Sequence, residues 1–200
     1  MILSLRHTLF LFLLISLLFS GCSTLKPVTY HDRSWETRAA ELNQLKDFTA
    51  QGVISIHEGK EAEKASFHLV QQGEQYQLSL YGPLGMGRNV IKGDTQGVSL
   101  TDSSGKIFTA ASPEALLKKE TGWSLPLSNL QYWIRGLPAP RQSRVSKWDV
   151  YHHLEQLQQQ DWQIHYEHYM QVEGYDLPRK IRFERKGLEV ILVINKWTLT

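Results

Sequence analysis

The chain has 200 residues, with 22 basic and 20 acidic side chains and a formal net charge of +2. That near-even balance, with no block of like charge, lacks the basic excess of a nucleic-acid binder. A lone cysteine, Cys22, excludes any intrachain disulfide, and the length suffices for one domain with a real core. Residues 1–21 read as a secretory signal, with Arg6 and His7, an apolar run from Leu9 to Phe19, then the small residues Ser20 and Gly21. The apolar run is about half of the ~20 residues that a spanning helix needs.

Small residues followed at once by a cysteine resemble the lipobox of bacterial lipoproteins. The resemblance implies cleavage after Gly21, diacylation of the Cys22 thiol and acylation of the freed amine, although Phe19 stands where Leu is usual. Ser23 differs from the Asp that marks retention in the inner membrane. Residues 22–33 are polar with one proline and are expected to form a tether between lipid and fold. An ordinary signal that happens to end near a cysteine is the alternative.

From Ser34 the periodicity is helical, with Ser34 as N-cap and Trp35, Ala39, Leu42 and Leu45 on one face. The period then becomes two. Phe48, Ala50, Ile54 and Ile56 share a face, followed by Phe67 and Leu69, then Tyr76, Leu78 and Leu80, then Val98 and Leu100, then Ile107 to Ala110. Turn-forming stretches such as EGKE, QQGEQ, GPLGMGR and DSSGK separate these runs. Such spacing predicts an antiparallel meander with one apolar face.

The middle breaks the pattern. Ser112-Pro113-Glu114 starts a short helix that ends at Gly122, and Pro126 opens a second. Leu127, Leu130, Trp133, Ile134 and Leu137 line one face of it before Gly136, Pro138 and Pro140 stop it. Strands resume over His153–Gln159, Trp162–Met170, Arg179–Arg185 and Leu188–Leu199; the last is apolar on both faces, as a strand covered on both sides would be. The sum is a curved antiparallel sheet with helices laid across it, closed or nearly closed into a barrel.

No motif for nucleophilic catalysis or nucleotide binding is present, so an enzyme, including a lipid-modifying one, is disfavoured, and no cofactor is expected. His165 and His168 point to opposite faces of a strand, and His152 and His153 have the same defect, so solvent-facing polar roles are expected rather than metal ligation. Two stretches stand out. YGPLGMGR places Leu84 and Met86 at a hairpin tip, where polar residues are usual. The helix from Leu127 to Leu137 is either an ordinary core plug or a lid over an apolar hollow.

The stretch GWSLPLSNLQYWIRGLPAP (Gly122–Pro140), with the lipobox and Asn195-Lys196-Trp197, resembles the LolB family of outer-membrane lipoprotein receptors over essentially the whole mature chain. The resemblance implies a mainly β fold with helices: an unclosed antiparallel β-barrel, or half-barrel, covered by a helical lid around an apolar cavity. Residues 34–200 then form a single lipid-binding domain, with Leu130, Trp133, Ile134 and Leu137 on the lid and Phe48, Phe67, Leu78 and Leu80 on the wall. The family's protruding apolar residue maps onto Leu84, which implies membrane insertion there. The implied function is acceptance of acylated lipoproteins from the periplasmic carrier LolA and their insertion into the inner leaflet of the outer membrane, without nucleotide hydrolysis. The expected receptor is a monomer, anchored to outer-membrane phospholipid through Cys22 with its domain facing the periplasm. A lipid-anchored scaffold domain with a packed core is the competing class.

Overall fold

The structure is a computed structural model and describes residues 33–82, 87–123 and 125–200; Cys22, the signal and tether before Arg33, and Leu84 lie outside these. Helix α1 (Trp35–Gln44) starts at Ser34, whose hydroxyl accepts the Thr37 amide at 3.3 Å and satisfies one free N–H of the first turn. Strands β1 (Asp47–Glu58), β2 (Glu61–Gln72), β3 (Gln75–Tyr81), β4 (Arg88–Gly93), β5 (Val98–Thr101) and β6 (Ile107–Ala110) follow. Helices α2 (Pro113–Thr121) and α3 (Leu127–Trp133) come next, and then β7 (Arg144–Trp148), β8 (Leu154–Gln159), β9 (Trp162–Val172), β10 (Tyr175–Arg185) and β11 (Leu188–Leu199).

All the described strands pair antiparallel in one sheet, in the order β6-β5-β4-β3-β2-β1-β11-β10-β9-β8-β7. The two halves of the chain are thus sewn together through β1 and β11, while β6 and β7 remain edges. The sheet is therefore an unclosed barrel, and α2 and α3 occupy the gap in sequence between its edges. One end of the sheet carries the β1–β2, β8–β9 and β10–β11 turns together with Gly82 and Gly87, whose backbones bond across the β3–β4 connection at 3.2 Å. The start of α1 and the β2–β3, β7–β8 and β9–β10 connections lie at the other end.

The predicted alternation holds where one face is covered. Phe48, Ala50, Ile54 and Ile56 of β1 are buried, and so are Phe67 and Leu69 of β2 and Leu78 and Leu80 of β3. Two strands had no counterpart in the sequence reading, β4 and β7. In β7, Val145 and Trp148 are exposed, so no alternation marks it. The second correction concerns β11: Leu188, Val190, Leu192 and Ile194 are buried, but Ile191 and Val193 are only half-buried on the convex face. Nothing among the described elements covers that face, and β-branched residues there serve strand geometry as much as burial.

A bulge at Asn195 shifts the inward register of β11 from Ile194 to Trp197. Gly52 opposite it is required by space, because a Cβ there would stand 1.9 Å from the Val193 carbonyl oxygen. The bulge brings Trp197 onto Phe48, with ring centroids 5.3 Å apart, and its indole donates to the Pro178 carbonyl at 3.0 Å.

Candidate functional site: a lid over the concave sheet

The concave face of the sheet is filled by the segment from Trp123 to Ala139, and that segment is held in two different ways. Its second half is fastened by polar bonds. The Trp133 indole donates to Gln159 Oε1 at 2.8 Å, and the same Gln159 amide both accepts from the Ala139 N–H and donates to its carbonyl. Tyr166 donates its hydroxyl to the Trp133 carbonyl at 2.9 Å. Burial raises the Tyr166 phenol well above its ordinary range, so it stays a donor at any physiological pH.

Arg135 extends this fastening to α1. Its Nη1 donates to the carbonyls of Leu42 and Leu45 at 2.8 and 2.6 Å, and its Nε to Gln131 at 2.8 Å. The guanidinium is 3 % exposed and lies over the Phe48 and Tyr132 rings, and burial pulls its pKa down to about 10. Carbonyls at the C-terminal end of α1 carry partial negative charge, which stands in for a counterion. Gly136 ends the turn at φ 80°, a left-handed conformation that lets the chain swing to Pro138.

The first half of the lid is more sparsely bonded: the buried Asn129 donates to Gln160 Oε1 at 3.1 Å and accepts from Gln142 at 3.3 Å. Pro126 occupies the cap of α3 with no side-chain bond of its own, and the free Ser128 amide is met instead by Glu114 Oε1 at 2.7 Å. At the rim, the half-buried Trp123 donates to Glu63 at 2.8 Å and the exposed Lys118 faces Glu58 at 3.4 Å. On the side facing the sheet the contacts are purely apolar. Leu125, Pro126, Leu130 and Ile134 press onto Ile54, Phe67, Leu69, Leu78, Leu80, Phe183, Val190 and Leu192 around a residual void of about 20 Å³.

The predicted site residues therefore divide. Phe67, Leu78, Leu80, Leu130 and Ile134 line the void together. Trp133 is fully buried on the other side of the lid, 6.1 Å from Phe183 and 6.3 Å from Trp162 between ring centroids. Phe48 packs on Trp197 and Arg135 beneath α1, and Leu137 faces a cleft beside Trp35 and Tyr132. Leu84 and Cys22 fall outside the described residues. A void of this size holds about one water molecule. The sequence expectation was an open hollow; in this structure the lid's own side chains occupy it.

Sequence reasoning missed Gln159 and Arg135, though both leave a trace. Gln159 sits at the inward parity set by Leu157, and Arg135 interrupts an apolar stripe; a polar residue at an inward position marks a buried bond. It also misplaced His153, which is not solvent-facing. His153 is 1 % exposed, stacks on Tyr169 at 4.3 Å, and bridges Asp149 at 2.8 Å and Asp176 at 3.2 Å. Arg38 of α1 joins the same Asp176 oxygen at 2.7 Å. Burial alone would raise the Asp176 carboxyl, but the hydrogen bonds from Arg38 and His153 outweigh it and hold the pKa below the ordinary value. This cluster ties the start of α1 to β10. Among the described residues no group of His, Cys, Asp and Glu has the arrangement of a metal site.

Solved structures share this fold. The LolA superfamily protein NE2245 from Nitrosomonas europaea superposes with a TM-score of 0.55 over 84% of this chain and 94% of its own, at 9% identity. A DUF1329 family protein from Desulfovibrio piger gives 0.56 over 86% and 94%, also at 9%. Those likenesses concern the fold alone. The model of the family described as "Outer membrane lipoprotein LolB" matches residues 46–197, which includes the whole lid. This chain belongs to the LolB family. Similar relatives are the outer-membrane lipoproteins LolB of Francisella tularensis subsp. tularensis (strain WY96-3418), 36% identical over 97% of this chain and 95% of theirs, and of Coxiella burnetii (strain RSA 493 / Nine Mile phase I), 35% identical over 91% and 89%. The LolB match thus covers both halves of the lid and the strands beneath them.

Proposed function

We propose that the protein is an outer-membrane lipoprotein receptor that takes acylated lipoproteins from the carrier LolA and inserts them into the inner leaflet, with Cys22 acylated as its anchor and its domain facing the periplasm. The observation that carries this reading is the unequal fastening of the lid over a wholly apolar wall. A triacylated lipoprotein has on the order of 40 methylenes, and exposing them to water costs roughly 30 kcal/mol at about 0.8 kcal/mol each. Non-covalent affinities saturate near ~20 kcal/mol, so the receptor sheathes the chains in part and can release them.

Entry is an exchange. A sixteen-carbon chain needs several hundred Å³, on the order of 30 Å³ for each unit the size of a water molecule. The space is made by lifting Leu125, Pro126 and Leu130 off the wall, and the incoming methylenes cover the surfaces those side chains leave. Because apolar contact replaces apolar contact, no nucleotide hydrolysis is required. The half fastened through Gln159 and Arg135 stays in place as the hinge. Leu84, which lies between Gly82 and Gly87 in the sequence, then dips into the leaflet and gives the chains an apolar route outward.

Transfer of a purified acylated lipoprotein from LolA to the mature protein, and from there to phospholipid vesicles, tests both steps. Leu84→Glu is expected to accept cargo normally and fail to deliver it; normal delivery by this variant removes the insertion role. The filled interior also suits a packed, lipid-anchored scaffold, which would bind no environment-sensitive fatty-acid probe. A receptor binds that probe stoichiometrically.

A further inference from the structure

The end of the sheet opposite Gly82 and Gly87 carries an exposed apolar group of its own. Val150 is 84 % exposed at the tip of the β7–β8 connection, and Trp148 and Tyr151 beside it are 44 % and 43 % exposed. Trp148 rests on Trp35 of α1, with ring centroids 5.8 Å apart. Exposed Lys147, next to Trp148 on β7, lies beside the group. The same place is where the described chain begins, because Arg38 at the start of α1 donates to the Tyr151 carbonyl at 3.2 Å. A Trp–Tyr–Val tip with a neighbouring lysine matches the polar–apolar gradient of a bilayer interface, where aromatic rings settle at the headgroup level and basic side chains meet anionic lipid.

We propose that Trp148, Val150 and Tyr151 form a seat on the phospholipid surface that holds the anchored end of the domain against the outer membrane between deliveries. This rests on the acyl anchor at Cys22. From Cys22 to Arg33 the chain spans at most about 40 Å, and full extension is its least probable state, so the anchor keeps this end close to the bilayer. Two features already favouring the membrane, the anchor and the aromatic tip, then act together, and linked contacts reinforce each other through effective concentration.

The seat also fixes what delivery requires. Strand β1, with 12 residues, measures about 40 Å along its axis, so the Gly82–Gly87 end stands roughly one tether length away from the seat. Bringing that end to the same leaflet means lifting Val150 off and drawing the tether out along the sheet. The domain therefore has a seated disposition and a delivering one, related by tipping the domain end for end.

The test uses the mature acylated protein in phosphatidylethanolamine–phosphatidylglycerol vesicles. With the Cys22 thiol acylated, Val150→Cys introduces a unique thiol for an NBD label, and Lys60→Cys in the β1–β2 turn labels the far end. Without carrier or cargo, doxyl lipids are expected to quench the label at 150 several-fold more than at 60, and aqueous iodide to do the reverse. Equal quenching, or stronger quenching at 60, overturns the seat. Shielding at 150 from iodide that appears only when LolA is added, with no doxyl quenching, assigns the patch to a protein instead and likewise overturns it. The measurement needs no transfer, so its failure leaves the receptor reading standing, whereas loss of transfer with quenching intact removes that reading alone. Flotation of the labelled protein with the vesicles checks the anchor separately.

Discussion

The two halves of the lid bury similar side chains but are held by different forces. From Trp133 to Ala139 the chain is fastened through directional bonds to Gln159, Tyr166 and the carbonyls of α1, each of which is lost outright if the segment moves. From Trp123 to Leu130 it rests on leucines and phenylalanines, with polar bonds only along its outer side, from Trp123 to Glu63, from the Ser128 amide to Glu114 and from Asn129 to Gln160. Apolar contact is non-directional, so a fatty chain can substitute for Leu130; no fatty chain can substitute for the Trp133 indole N–H. Unequal fastening turns a plug into a flap with a hinge.

The difference can be broken at either half. Trp133→Ala removes a fully buried indole and leaves Gln159 short of a donor, and a loss of about 3–5 kcal/mol is expected in urea unfolding. A loss below about 1 kcal/mol would show that the second half is not a fixed hinge. Arg135→Met leaves the Leu42 and Leu45 carbonyls without their donor; roughly 1–3 kcal/mol is expected, along with faster proteolysis of α1.

Leu130→Ala, in the partly buried first half, is expected to cost less, about 2 kcal/mol, while raising affinity for a fatty-acid probe by enlarging the void beneath it. Lowered probe affinity would place the chains elsewhere. Trp123→Phe removes the bond to Glu63 and part of a half-buried ring's packing. Less than about 1 kcal/mol is expected at this exposed rim, together with faster probe uptake in stopped flow.

Alkaline pH probes the fastened half from another direction. Burial raises Tyr166, and raises Tyr76 to about 12. Phenols with folded-state pKa values above the ordinary 10 contribute stability that is present below pH 10 and lost as pH rises through the folded-state values. Stability is expected to fall above pH 10, and less steeply in Tyr166→Phe; an unchanged slope in that variant would deny Tyr166 its part.

What the sequence disclosed follows from where periodicity operates. Strands with one covered face, such as β1 and β3, declare themselves by alternation, and α2 by Ser112, Pro113 and Gly122. The short β7 has no buried face and so no pattern. Leu127, Leu130, Trp133, Ile134 and Leu137 were legible as a stripe, but periodicity cannot say which partner each side chain meets. Hence Trp133 and Leu130 read alike, although one faces Gln159 and the other the void. The Arg38–Asp176 pair joins residues 138 apart in the chain, and no local signal announces it.

Photocrosslinking of acylated lipoprotein to single positions on the lid tests the flap and hinge most directly. Photoreactive residues at 130 and 78, on the two sides of the void, are expected to capture the acyl chains, and one at 157, behind the fastened half, is not. Capture at 157 with none at 130 or 78 would contradict the flap.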